Sequence, residues 1–266
     1  MKNKTSVGID GISTRMIRDA GEVLCVPLTR IINTSINACT FPKLWKCAVI
    51  VPLFKKKDPS KKENYRPVSL LPASSKILEM VIHEQLYHHF ERNSLFAKGQ
   101  HGFQKNKGTT SALMSIYARM CEESSQGKAV AVASYDQSAS FDMCEPQLVI
   151  DKLKYFQVSE MSRKWMLSFL SNRTQKVRVG SAFSDIIEIP FGAPQGAILS
   201  PLIFLIYVSD VDLWVDKDCH TSYCDDSNIA VSGDSKSQAI TKLEHVSHEL
   251  LIYFSSNYLV ANSSKT

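Results

Sequence analysis

Two stretches of the chain each tie carboxylates to a strand-like apolar run. Tyr135-Asp136-Gln137-Ser138-Ala139-Ser140-Phe141-Asp142 follows the apolar run Ala129 to Ala133, and Tyr223-Cys224-Asp225-Asp226 leads into the alternating Ile229-Ala230-Val231. An aspartate that ends one buried strand can meet an Asp-Asp pair in the turn of a neighbouring hairpin. That meeting requires two distant segments to lie side by side in one sheet, and so restricts the folds open to the chain. It would create a compact, all-oxygen acidic site suited to hard divalent cations, above all magnesium, which takes a few carboxylates plus phosphate oxygens. Taken singly, an Asp-Asp pair reads more simply as a solvated turn, because Asp suits turn geometry. The surroundings decide.

A chain of 266 residues with 44% hydrophobic and 21% charged residues has the profile of a globular protein with a substantial core. Its charge is unevenly placed. Lys43 to Arg66 holds eight basic side chains against Asp58 and Glu63, a surplus of six in a chain whose net charge is +5. Such a segment beside a neutral body suits contact with a polyanion, whereas a solvated lysine-rich loop is the plainer reading. The seven cysteines form no CxxC and no even framework, as expected in a reducing compartment. Cys219, His220 and Cys224 lack a fourth ligand at zinc spacing. His83-Glu84-Gln85-Leu86-Tyr87-His88 is one residue too long for HExxH, which turns the second histidine about 100° off the required helix face. No apolar signal core opens the chain, and the most apolar stretch, Ile198 to Val208, is too short to span a bilayer.

Periodicity predicts helices within 10–39, over 75–91, 109–123, 145–156, 160–171, 198–212 and 236–254. Strands are expected at 48–54 and 129–136, in a hairpin of 175–179 with 186–189 around Ser181-Ala182-Phe183-Ser184, and in a second hairpin over 221–232. Helices mixed with antiparallel hairpins predict an α+β fold with helices packed on one face of the sheet.

Six segments in order complete the pattern. They are Phe54-Lys55-Lys56 through Asn64-Tyr65-Arg66-Pro67; Gln100-His101-Gly102-Phe103; Asp136 to Asp142; Gly192-Ala193-Pro194-Gln195-Gly196 through Pro201; Tyr223-Cys224-Asp225-Asp226; and Asn257-Tyr258-Leu259 through Asn262-Ser263-Ser264-Lys265-Thr266. The ordered set resembles the reverse transcriptase domain of non-LTR retrotransposons across nearly the whole chain.

The resemblance implies a polymerase right hand, with fingers in 1–128 (including the basic loop 55–66), a palm with an antiparallel sheet in 129–266, and the thumb and endonuclease missing from this fragment. It implies an RNA template, a DNA primer and dNTPs as partners, two Mg²⁺ ions for which Mn²⁺ substitutes, and, by analogy with related elements, a nuclear location. Protein partners are not indicated. Asp136 and Asp225 are then the bridging metal ligands, Asp226 completes the acidic cluster, and the carbonyl of Gln137 also coordinates metal. Phe141 is the aromatic gate that excludes a ribose 2′-OH, with core packing as its plainer role. Gln195 and Gly196 form the nucleotide-binding loop; Lys55 or Lys56, with Arg66, holds the triphosphate through charge and the paired donors of a guanidinium; Lys265 approaches the pyrophosphate. Gly102 and Phe103 lie near the template, where the ring stacks on a base or anchors the core.

The chain departs from the family at Ala139-Ser140, where Lys-Ala is usual, at Gln104, where Arg is frequent, at Ala197 for Ser, and at Cys224 for Ala. No metal ligand is lost, but two positive charges are, which lowers the expected activity. A catalytically decayed remnant that still binds nucleic acid is the alternative. An RNA-templated RNA polymerase is disfavoured by Phe141.

Overall fold

The computed structural model describes residues 7–56 and 58–263, so Lys57, Ser264, Lys265 and Thr266 lie outside the described residues. The N-terminal segment forms α1 (Thr14–Ala20) and α2 (Cys25–Asn37), then strands β1 (Cys47–Phe54) and β2 (Tyr65–Leu70), and helices α3 (Ala73–Arg92) and α4 (Thr109–Ser125). After β3 (Ala129–Asp136) come α5 (Pro146–Tyr155), α6 (Glu160–Leu170), and strands β4 (Arg173–Val179), β5 (Ala182–Phe183) and β6 (Ile187–Ile189). Helix α7 (Ser200–Tyr207), strands β7 (His220–Tyr223) and β8 (Asp226–Gly233), and α8 (Lys236–Ser256) complete the order. Several helix starts are written in the sequence: the hydroxyls of Ser13, Ser159 and Ser235 accept from Met16, Ser162 and Gln238 N–H groups, satisfying donors that a helix leaves unpaired.

By contacts the chain divides into two compact units, residues 1–87 with 145–200 and residues 88–144 with 201–266. A single cut at 128/129 does not follow this division, because each unit is assembled from two separate stretches of chain.

The first unit carries a mixed sheet in the order β2-β1-β4-β5, with β6 also paired to β4. Strand β1 runs antiparallel to β2 and parallel to β4, the parallel pairing covering only Cys47 to Ile50. Beyond it β1 and β2 continue as a two-stranded ribbon in which Pro52 faces Pro67. Two prolines are tolerated there because the ribbon has free edges and no third strand needs their missing N–H groups. The core gathers around Phe41, whose ring meets Phe169 and Trp165 edge-on at 5.0 and 5.7 Å. The Trp165 indole N–H donates to the Ser35 hydroxyl at 3.0 Å, docking α2 onto α6.

Two expectations for the elements are corrected. Ala182-Phe183 is a strand, not part of a turn: Arg178 pairs with Phe183 and Val179 with Ala182, so the reversal lies at Gly180-Ser181, with Gly180 at φ +61°. The apolar helix expected over 198–212 is confined to Ser200–Tyr207. The N–H groups of Ile198 and Leu199 donate to the Glu79 carboxylate instead, and after Tyr207 the chain tightens into a 3-10 turn at Val211–Leu213.

The second unit is built on the antiparallel sheet β3-β8-β7. Helices α8 and α4 both pack against it, but on opposite faces. A side chain at Gly233 would meet the Ala239 backbone N of α8 at 2.7 Å, whereas Ser232, the next residue back, donates its hydroxyl to Glu123 of α4 at 2.7 Å. Successive residues of a strand face opposite sides, so the expectation of helices on one face only is also corrected. Ile229 and Val231, which share the face of Gly233, are buried.

Candidate active site

The strand pairing brings two of the predicted carboxylates together. Register matches Asp136 with Asp226, Tyr135 with Ser227 and Ser134 with Asn228. The Ser134 hydroxyl donates to Asn228 Oδ1 at 2.6 Å, so Ser134 and Asn228 share a face, and by the two-residue period Asp136 and Asp226 occupy that face too. Directly opposed side chains stand about 4.5–5.5 Å apart at Cβ, and like charges in such pairs are destabilising. Asp225 takes the turn position beside this pair. Among the described residues no three His, Cys, Asp or Glu side chains stand close enough to form a metal-binding group.

This donor set still fits a hard cation. Opposed carboxylates at a strand end gain from a positive charge between them, and magnesium is held by one or two carboxylates with its other positions taken by water and phosphate. A thiolate is not on offer: burial, reinforced by the charges of Asp225 and Asp226, pushes the Cys224 thiol up to about 12.

Asp136 is steadied from the C-terminal segment. Its carbonyl accepts the Asn262 N–H at 2.8 Å and its Oδ2 the Asn262 side-chain amide at 3.2 Å. With Ser138 N–H donating to the Val260 carbonyl at 2.9 Å, these bonds flank the antiparallel bridge of Gln137 with Ala261. Gln137 is thereby the non-hydrogen-bonded partner, and the bridge leaves its carbonyl unused. Its side chain turns inward, where Oε1 meets no donor among the described residues and lines a cavity of about 10 Å³ with Gln100, His220 and Cys224.

The turn between β7 and β8 is two residues long, with Cys224 at φ +55°. A positive φ at the first central position belongs to a type II′ turn, where glycine is usual, and a larger residue carries strain. The loop that begins at Gly99 holds it. Gln100 Oε1 accepts from Cys224 N–H at 2.9 Å, and Gln100 Nε2 donates to the Cys224 carbonyl at 3.0 Å. Gly102 lies so close that a Cβ there would stand 2.3 Å from the Cys224 nitrogen. Gln104, where the family often has Arg, donates to the Gln100 carbonyl at 2.8 Å.

After Asp136 the chain bends at Ala139, φ +51°, and returns Phe141 to an aromatic cluster. The Phe141 ring stacks on Phe204 at 4.9 Å and meets Phe103 edge-on at 5.9 Å. Phe141 is half-buried and Phe103 41% exposed, so the cluster keeps an open side.

The remaining predicted residues among those described belong to the first unit, while Lys265 lies outside the described residues. Lys55, Lys56 and Arg66 are exposed. Their loop is ordered by Asp58, whose carboxylate accepts from the Ser60 N–H and hydroxyl at 2.9 and 2.7 Å; these bonds hold its pKa below the usual carboxylate range. Gln195 is half-buried and Gly196 sits at φ +81°, where a Cβ would lie 3.0 Å from the Ser69 carbonyl oxygen. Their loop is closed by Ser200, donating to the Pro194 carbonyl at 2.6 Å, and by buried Glu79, accepting from Ile198 N–H at 2.6 Å. Burial raises the Glu79 pKa, against the pull of that N–H, the Ser75 hydroxyl and the Arg173 charge.

Sequence reasoning missed three residues: Gln100, Asn262 and Glu79. The first two stand inside quoted motifs without a role, and Glu79 gave no signal beyond being an acid on a predominantly apolar helix face.

Residues 54–266 match the family described as reverse transcriptase (RNA-dependent DNA polymerase). Among curated proteins of Drosophila melanogaster, the RNA-directed DNA polymerase from mobile element jockey is 31% identical over 210 residues, 78% of this chain and 23% of that protein. The probable RNA-directed DNA polymerase from transposon BS is 26% identical over 78% of this chain and 23% of its own length. A putative 115 kDa protein in type-1 retrotransposable element R1DM is 27% identical over 89% of this chain and 23% of its own length. The chain thus spans about a quarter of the length of these relatives. Among the described residues no helix is long and apolar enough to cross a membrane.

Proposed function

This chain belongs to the reverse transcriptase (RNA-dependent DNA polymerase) family, and from that premise we propose that it carries the nucleotidyl-transfer site of a non-LTR retrotransposon polymerase, extending a DNA primer with dNTPs on an RNA template. The observation that carries the reading is the register match of Asp136 with Asp226 at the end of β3, with Asp225 in the adjoining turn. In this reading β3, β8 and β7 form the palm, and the β1–β2 ribbon with its basic loop belongs to the fingers.

Asp136, Asp225, Asp226 and the Gln137 carbonyl would hold two magnesium ions, or manganese in their place. When bound, such ions activate the primer hydroxyl and neutralise charge on the leaving pyrophosphate. The chain's own residues do the rest. Asn262 orients Asp136. Phe141, braced by Phe204, presents its ring to the sugar and excludes a 2′-OH by contact. Phe103 offers a face to a template base, and Gly102 keeps the backbone beneath it close. In the first unit, Gln195 presents an amide to the nucleotide while Gly196 admits close backbone approach, and Lys55 or Lys56 with Arg66 meets triphosphate oxygens. Lys265, by family resemblance, meets the pyrophosphate. A nuclear location belongs to the same reading.

The two positive charges lost at Ala139 and Gln104, where the family often has Lys and Arg, favour one second reading, a remnant that binds nucleic acid without turnover. Primer extension on an RNA template with Mg²⁺ or Mn²⁺, with Asp225→Ala in parallel and template binding measured, separates the two. Extension that the substitution abolishes establishes the polymerase; binding without extension establishes the remnant.

A further inference from the structure

We propose that Gln100 is a positioning residue for the carboxylate-bearing turn, acting on Asp225 and Asp226 through the peptide groups of Cys224. The inference rests on the metal-binding reading above and adds to it a residue that touches neither metal nor substrate.

The Gln100 side chain is almost wholly buried, at 1% exposure, and its amide makes three hydrogen bonds. Oε1 accepts from Cys224 N–H at 2.9 Å and Gly102 N–H at 2.7 Å, and Nε2 donates to the Cys224 carbonyl at 3.0 Å. One planar amide thus pairs with both polar groups of one residue, as a neighbouring strand would. The backbone around it extends the same pairing: His101 N–H donates to the Ser222 carbonyl at 2.7 Å, and Ser222 N–H to the Gly99 carbonyl at 2.8 Å. The loop therefore adds a short parallel segment to the free edge of β7, and the Gln100 amide carries that pairing past the strand's end, into the turn.

The turn needs this support. Cys224 holds a positive φ that an L-residue adopts only when its surroundings over-determine it, and the next residue is Asp225. Few side chains offer what Gln100 offers. Asn falls one methylene short, and an ionised Glu would set a second acceptor against the Cys224 carbonyl. Met fills the volume and makes neither bond.

Partners that orient metal ligands from behind typically contribute 10–100-fold in metal affinity. Mn²⁺ is the probe, titrated into the 266-residue chain with the free ion followed by its electron paramagnetic resonance signal, below the melting temperature of every variant. Gln100→Met is expected to weaken the aspartate-dependent Mn²⁺ binding by about tenfold or more, with RNA template affinity unchanged. Asp225→Ala and Asp226→Ala run alongside. If the aspartate variants lose Mn²⁺ binding and Gln100→Met keeps it, the inference is overturned and the metal reading survives. If neither aspartate variant changes it, the metal reading fails and the inference falls with it. A purely structural role for Gln100 would lower Tm and leave Mn²⁺ affinity alone, which also overturns the proposal. Should Gln100→Met not fold, Gly102→Ala presses on Cys224 from the same loop and is expected to weaken the aspartate-dependent Mn²⁺ binding likewise, with no constancy of template affinity required because Gly102 lies in the template loop. Failure of both to fold would assign the loop to folding alone and overturn the positioning role.

Discussion

His220 is a histidine held neutral. It is 3% exposed, Nδ1 has no partner among the described residues, and burial drops its pKa to about 4. In the unfolded chain it titrates near 6.5. The unfolded state therefore binds more protons between those values, so the contribution of His220 is complete above about pH 6.5 and is lost as pH falls towards 4. The gap corresponds to roughly 3 kcal/mol. Urea unfolding of the wild type and of His220→Gln at pH 7, 5.5 and 4 isolates it: the wild type should lose stability relative to the variant by that order, and parallel pH profiles would refute the assignment. Phe141 gives a second prediction at this scale. Stacked on Phe204, its ring is fixed rather than free to swing aside, so Phe141→Ala should raise incorporation of ribonucleotides relative to deoxynucleotides; unchanged sugar selectivity in single-nucleotide extension would leave the ring with a packing role only.

Among the elements, those with strong local signals were legible. The β7–β8 hairpin could be read from alternation plus a turn pair, and β3 from an apolar run ending in Asp136. Two failures have different causes, one a distant partner and the other a tight local pairing. The 198–212 periodicity is helical, but Glu79, far away in sequence, takes the Ile198 and Leu199 N–H groups and delays the helix to Ser200. The reversal at Gly180-Ser181 was displaced because Phe183 reads as a turn residue until Arg178 pairs with it. Gln100 was invisible as a site residue because its amide acts on backbone groups, which every sequence possesses, and Asn262 because its partner Asp136 lies 126 residues away in sequence. Glu79 supports a test here. It satisfies two N–H groups and offsets the charge of Arg173, whose burial brings its pKa down to about 10. Glu79→Ala leaves the Ile198 and Leu199 N–H groups without this acceptor and withdraws a favourable charge from buried Arg173, so it should cost about 1–3 kcal/mol or more in urea unfolding. A loss below about 1 kcal/mol, the size of one ordinary hydrogen bond, would mean that the 194–199 segment is held by other contacts.

For the whole molecule, sequence order and spatial order diverge. A fingers-and-palm division at 128/129 follows the motifs along the chain, but the unit holding Asp136 and Asp225 begins at His88 and excludes 145–200. A fragment of residues 129–266 would lack α4 and the Gln100 loop, while carrying α5, α6 and β4 without β1, the strand beside which β4 lies. It should show no cooperative thermal unfolding; a sharp transition would vindicate the linear division. Charge gives the complementary expectation. The surplus of positive charge is concentrated at Lys43 to Arg66, and Lys55, Lys56, Lys61, Lys62 and Arg66 are all exposed. If they meet phosphates, each contact releases counterions, and log K for single-stranded RNA falls with log[salt] by about 0.7 per contact. Replacing Lys55, Lys56, Lys61 and Lys62 by Gln should therefore flatten the slope by up to about 3 while leaving the fold intact. The loop geometry that displays them depends on Asp58, Ser60 and Asn64, none of which is changed. An unaltered slope would return the segment to the role of a solvated loop and move the electrostatics of template binding elsewhere on the chain.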